Sequence, residues 1–386
     1  MKFSIVLAAS AVSGSVVVPR ADPRSSPAPN LPMSVFPKFE VISLDQAKQG
    51  LDRDIQKLPP KPVANLTYET DPGSAKPKFG VSMMVSPVNK AATAASKACA
   101  SAPSYRFEWR QYSDSRRVSL MSAMRCLINR KPSGTFSNAR NRWEDFVQLH
   151  QSVMPSVHNN AIFLLWHRYF LWTFEQVLRI ECGFDRGFVW WDETKDAGHF
   201  AQSDMFTSSN YLGPLPGLNN GQPSCINSGA FAGMITHIGP GNSFTTHCIS
   251  RGVTEQNTAQ CNTNFVNYCL SRAAYADFET CLEYGPHGYG HNGIGGVMQD
   301  VWSSPSDPIF WMHHAFIDRV YYTWQLGNAN RLSAIDSGVD ANGKPLTLDT
   351  VLSMGGIAPD VTIRDVLNPL GGVNIGGVSF CYKYSY

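Results

Sequence analysis

Ten histidines are spread over 386 residues, and six of them fall in two groups of three: His150, His158 and His167, then His287, His291 and His314. No histidine precedes His150 and the next after His167 is His199, so the first group is closed on both sides. A lone histidine on an apolar helix is usually a hydrogen-bonded core residue, but six in this pattern are the donor set of a metal centre. Imidazole-only sets, without thiolate or carboxylate, suit copper, zinc, iron or nickel. A catalytic zinc needs one such set plus water, so two sets point to two ions working as a pair.

The apolar run AIFLLWHRYFLWTFEQVLRIECGF predicts a buried helix from about Ala161 to Glu181, stopped by Gly183 and carrying His167. WEDFVQLH ends a second helical run at His150, and Pro155 is expected to interrupt it, leaving His158 on the connector. His287 and His291 share one face if their segment is helical, although the glycines between them argue against a regular helix. Asp307 as N-cap and Pro308 at the first position predict a last helix running to about Gln325. It carries both His313 and His314, and helical phase alone does not choose between them. Asp318, one turn beyond His314, is expected to support a ligand from behind.

These segments resemble the type 3 copper proteins: tyrosinases, catechol oxidases and haemocyanins. Trp166-His167-Arg168 followed by Phe174-Glu175 is similar to the copper A signature of that family, and the run from Asp307 to Arg319, DPIFWMHHAFIDR, to its copper B signature. Phe188-Val189-Trp190-Trp191-Asp192 and Tyr382-Lys383-Tyr384 are similar to two further family segments, so the resemblance covers roughly 100–386. It implies a mainly α fold: a four-helix bundle around a dinuclear copper site, with long loops and little β. It also implies two copper ions as cofactor, His314 rather than His313 as the last ligand, and small phenolic substrates oxidised with dioxygen to ortho-quinones. Inward-facing side chains on facing helices are how a bundle builds such a site.

The same resemblance assigns finer roles. Glu283 matches a glutamate that holds a water near copper B and assists phenol deprotonation. Gly288 stands where efficient monophenol hydroxylases carry an asparagine, and Val301 where a side chain over copper A controls access, so an open entrance and mainly catechol oxidation are expected. Ser156 replaces a cysteine that in many relatives ties the second histidine through a thioether, so His158 is expected to be less constrained. The alternatives are a tyrosinase with strong monophenolase activity, a haemocyanin-like oxygen carrier and a dizinc hydrolase.

Residues 1–18, one lysine and a short apolar run, read as a secretion signal too short to span a membrane. Nine cysteines without a CxxC pair fit disulfides in an oxidising compartment, with at least one left over, and Cys99 and Cys381 are candidates to anchor the ends of the core. Asn65-Leu-Thr67 is a glycosylation acceptor, consistent with secretion. Residues 19–95, rich in Pro, Ala and Ser, are expected to be a peripheral or propeptide-like segment before a catalytic domain at 96–386. The chain ends just after Tyr384, so the resemblance implies no C-terminal domain over the site. A net charge of +2 without basic runs gives no reason to expect nucleic acid as a partner.

Overall fold

The computed structural model describes residues 27–56 and 99–386; the signal-like segment 1–18 and the Asn65 acceptor lie outside them. The fold is mainly helical, with strands of two to five residues. The helices that position the site are α1 (Leu44–Lys48), α2 (Leu51–Gln56), α3 (Asp114–Asn129), α4 (Arg142–Val157), α5 (Phe163–Cys182), α6 (Tyr275–Leu282), α7 (Gly288–Ile294) and α8 (Phe310–Leu326). Helix α5 packs against α3, α4 and α8. Four helices bear metal-site histidines, but α7 has only 7 residues, so the bundle is irregular on that side.

Local chemistry explains most boundaries. Asn141 caps α4 by accepting from the Glu144 amide. Gly183, at φ 66°, ends α5 in the left-handed conformation that costs a glycine nothing. One expectation is corrected. Pro155 does not interrupt α4, which continues to Val157; only two helical residues follow it, so the one backbone bond it removes lies at the end of the helix. Asp307 stands three residues before α8, which begins at Phe310: its Oδ1 accepts from the Ile309 amide (3.0 Å), as a cap does, and its two oxygens also take Arg251 at 2.7 Å per bond, both side chains fully buried. That pair pins the long excursion at 200–265 to the segment that opens α8.

Beneath the histidines lies an aromatic layer. Trp311 of α8 stacks on Phe174 of α5 at 3.5 Å and 4°, and Trp143 and Phe146 of α4 meet it edge-on. Three short parallel strands, β1 (Ser104–Glu108), β2 (Val189–Trp190) and β3 (Tyr382–Tyr384), join the start of the core, its aromatic middle and its end, with β1 central. The Cys99–Cys381 disulfide closes the same corner. Three more disulfides join Cys126–Cys182, Cys225–Cys248 and Cys269–Cys281, and Cys261 is the buried cysteine left over.

Residues 27–56, the described part of the segment before the core, pack against it. Phe36, Phe39, Ile42 and Ala47 are buried in it, and Asp52 forms a buried ion pair with Arg272. A capping box, Ser43 with Gln46, starts α1.

Candidate metal centre

Five of the six histidines are oriented through Nδ1. His150 donates to the Trp302 carbonyl (2.8 Å), His167 to Phe163 (2.9 Å), His287 to Glu283 (3.0 Å) and His291 to Met298 (2.7 Å). His158 donates to the Glu283 carboxylate at 3.2 Å. A carbonyl or carboxylate can only accept, so each ring carries its proton on Nδ1 and presents a bare lone pair at Nε2.

Those lone pairs converge. His150 Nε2 lies 3.1 Å from His158 Nε2 and 3.4 Å from His167 Nε2, and His291 Nε2 lies 3.2 Å from His314 Nε2. In the first group each of these atoms is an acceptor, and two acceptors cannot hydrogen-bond each other, so those contacts make sense only around a cation; His314 Nδ1 is buried without a protein partner, so no hydrogen bond fixes which nitrogen of that ring is bare. His287 Nε2, fully buried, has no protein partner either. Burial, and then the neighbouring rings, push His158, His167, His287, His291 and His314 well below the usual histidine range, and burial pushes His150 down to about 4. At neutral pH all six are neutral and able to ligate.

His313 and His314 both join the second group, within 4.8 Å of His287 and His291. They face differently. His314 stacks on His167 at 4.6 Å and 13°, toward the first group, whereas His313 gives its Nδ1 to the buried Glu193 at 2.6 Å. Gly290 is the residue that makes room for that pair, since a Cβ there would stand 2.6 Å from the His313 ring. The glycines that argue against a helix at 288–290 are thus demanded by packing. His199 is exposed, His237 pairs with Glu144 and His247 with the Thr245 carbonyl, so none belongs to the site.

Three expectations change. Asp318 does not reach His314: one oxygen accepts from Arg168 (2.6 Å), the other from Arg106 (3.0 Å), Tyr382 (2.7 Å) and Tyr384 (2.6 Å). It stands where a helix turn past the ligand brings it to the arginines of β1 and α5. His158 is not loosely held for want of a thioether at Ser156, because Glu283 holds it. The entrance beside Val301 is narrower than expected, because the Val301 amide donates to the Pro37 carbonyl and Phe39 lines the same cavity.

Glu283 is the residue whose position says most. Its backbone carbonyl takes His287 Nδ1 and its carboxylate takes His158 Nδ1 and the Asn159 amide (2.8 Å), so one residue fixes a ligand of each group. Neighbouring Glu279 is fully buried; burial and the Glu283 charge push its carboxyl well above the ordinary range, so it keeps a proton and hydrogen-bonds Glu283. Replacing Glu283 by alanine is expected to weaken copper binding at the first group by about 10–100-fold. Competition against a graded chelator, read as copper per chain, checks this; an unchanged affinity would count against the double role.

Residues 140–326 match the family model described as the common central domain of tyrosinase. Tyrosinase P of Aspergillus terreus is 26% identical over 73% of this chain and 92% of its own length. Tyrosinase ustQ of Aspergillus flavus is 30% identical over 73% of this chain and 79% of its own. The chain belongs to the tyrosinase family. Among solved structures, a polyphenol oxidase from Thermothelomyces thermophila (mutant G292N) superposes with TM-score 0.65 at 26% identity, covering 77% of this chain and 94% of that one. A Burkholderia thailandensis tyrosinase, at 16% identity and TM-score 0.51, shares the fold. Tyrosinase-family proteins are dicopper oxidoreductases acting on phenols with oxygen, and the two histidine groups of this tyrosinase-family chain fit two copper ions. His150, His158 and His167 would hold one, and His287, His291 and His314 the other.

Proposed function

We propose that this protein is a secreted ortho-diphenol oxidase that converts catechols to ortho-quinones with dioxygen. When bound, the copper pair supplies the redox chemistry: two catechols give up two electrons and two protons each, and one dioxygen becomes two waters. The chain's own part is to keep six imidazoles neutral and aimed, to exclude water and to receive a flat ring. Phe163 packs on His158, His167 and His287, and Phe310 on His314 and His150, walling the site with apolar rings. A cavity of about 340 Å³ reaches His158 between Met154, Pro155, Val301 and Trp302.

The observation that carries the diphenol reading is how Glu283 and position 288 are spent. A monophenol, with a pKa of about 10, must lose its proton to a base before it is oxidised. The Glu283 carboxylate is engaged by His158 and the Asn159 amide, and Gly288 brings no side chain beside His287. A catechol has a lower first pKa and two oxygens in chelating geometry, so it depends less on that help. General-base assistance is worth about 10²–10⁴-fold, so oxygen uptake by copper-loaded protein is expected to be at least about a hundredfold faster with 4-tert-butylcatechol than with tyramine. Comparable rates on both would make it a tyrosinase with strong monophenolase activity instead. The four disulfides support an oxidising, extracellular destination.

A further inference from the structure

The cavity that reaches His158 stops short of the other histidines because a side chain of the chain itself is in the way. The Phe39 ring stacks on His291 at 4.1 Å and 23°, and meets His287 edge-on at 5.1 Å and His158 at 5.7 Å. It therefore covers ligands of both groups at once, and only 7% of its surface is exposed. A phenol ring that is to bring its oxygens to a metal pair must lie against these same imidazoles. Phe39 has the ring without the oxygens, so it can occupy that place and not react.

The strap that carries it is shaped for this position. Asn292, next to His291, clamps Phe39 from both sides, accepting from its amide (3.2 Å) and donating to its carbonyl (2.9 Å). Gln299 donates to the carbonyls of Met33 (3.1 Å) and Phe36 (2.9 Å), the Val301 amide to Pro37 (3.0 Å), and the Ile42 amide to Tyr284 (2.9 Å). Gly288 completes the seat: a Cβ there would press on Val41 at 2.8 Å and on the Glu40 carbonyl at 3.1 Å. No disulfide ties the strap to the core, since the first cysteine of the chain is Cys99. All its fastenings are non-covalent, so it can be lifted or removed with the metal centre left intact.

We propose that residues 36–42 are an autoinhibitory strap and that Phe39 is an internal occupant of the phenol site, which holds the enzyme closed until the strap is displaced. The proposal rests on the diphenol oxidase reading for what the occupied place is, and it locates control of access on the N-terminal side of the chain. Displacement is a cost that every ring-bearing ligand meets, so apparent affinity falls by the fraction of molecules in which the strap is open.

The test compares copper-loaded, full-length wild type with Phe39→Ala, measuring benzoate binding by calorimetry and oxygen uptake on 4-tert-butylcatechol. Benzoate is a ring that cannot be oxidised, so it reports occupancy apart from turnover. The expected result is a benzoate Kd lower by at least about tenfold and a kcat/KM higher by a similar factor, with two coppers per chain in both proteins. Unchanged benzoate affinity in a variant that holds two coppers would overturn the strap, whatever the turnover. Tighter benzoate binding with no catechol turnover in either protein would leave the strap standing and remove the oxidase reading. If Phe39→Ala fails to hold two coppers, Phe39→Leu, which keeps an apolar side chain of shorter reach, is judged by the same two criteria.

Discussion

Changing His167 or His291 to alanine is expected to remove one copper per chain and to lower catechol turnover by at least about a hundredfold, more than the loss of an outer hydrogen-bond partner does. Each residue supplies one of the Nε2 atoms that converge in its group. His167 comes from the second turn of α5, its Nδ1 fixed by the Phe163 carbonyl one turn back and its Nε2 aimed at His150. His291 comes from α7, fixed by Met298 and aimed at His314. Alanine leaves an apolar gap in a fully buried wall, and no carboxylate or thiol stands near enough to take over: Glu193 is committed to His313 and Cys261 donates to the Pro286 carbonyl. The oxidation needs both ions, so loss of one should abolish it rather than halve it. Copper analysis together with oxygen uptake checks this, and full activity in either variant would contradict the ligand assignment.

The second large effect is on stability. Asp318→Ala is expected to destabilise the fold by about 3–5 kcal/mol, because it leaves the buried Arg168 guanidinium without its carboxylate and the buried Arg106 with Glu175 alone. Arg106 and Arg168 have fully buried side chains, and Asp318 pairs with both while accepting from Tyr382 and Tyr384. Burial alone would raise the Asp318 carboxyl, but Arg168 and Arg106 outweigh it and hold it below the ordinary range, so it stays charged through the acid side of neutrality. A native pKa below the unfolded one means that its contribution is present at neutral pH and is lost as pH falls toward that lowered value. At about 2–4 °C per kcal/mol, the midpoint of thermal unfolding should drop by roughly 10 °C. Calorimetry on Asp318→Ala and wild type would show it, and a shift of a degree or less would mean the arginines find other partners.

What could be read from the chain, and what could not, follows the range of the interactions. His150, His158 and His167 announce themselves because they lie on two adjacent helices and their connector, and α5 and α8 because their apolar runs are long and α5 ends at a glycine. The Cys99–Cys381 bridge was legible as a closure of the core's two ends. Asp318 was assigned to His314 from helical spacing alone, but its real partners come from β1, α5 and β3, which no local pattern connects. The resemblance places Glu283 beside a water at the second copper, yet its carboxylate serves His158, 125 residues earlier. The strap is the hardest to see: it lies within the Pro-, Ala- and Ser-rich stretch 19–95, which reads as peripheral, and the bond from Phe39 to Asn292 spans 253 positions. Gly288 and Gly290 looked like helix breakers, because only the packed structure shows Val41 and His313 standing where their side chains would be.

The central claim, that the two histidine groups hold one cooperating copper pair that oxidises catechols, is tested most directly by the stoichiometry of turnover. Oxygen consumed and quinone formed would be followed together on 4-tert-butylcatechol, in protein carrying two coppers per chain and the Phe39→Ala change that uncovers the site. One dioxygen is expected for every two quinones, with water as the product. Reversible oxygen uptake without quinone, or no uptake at all in protein that holds both coppers, would contradict it.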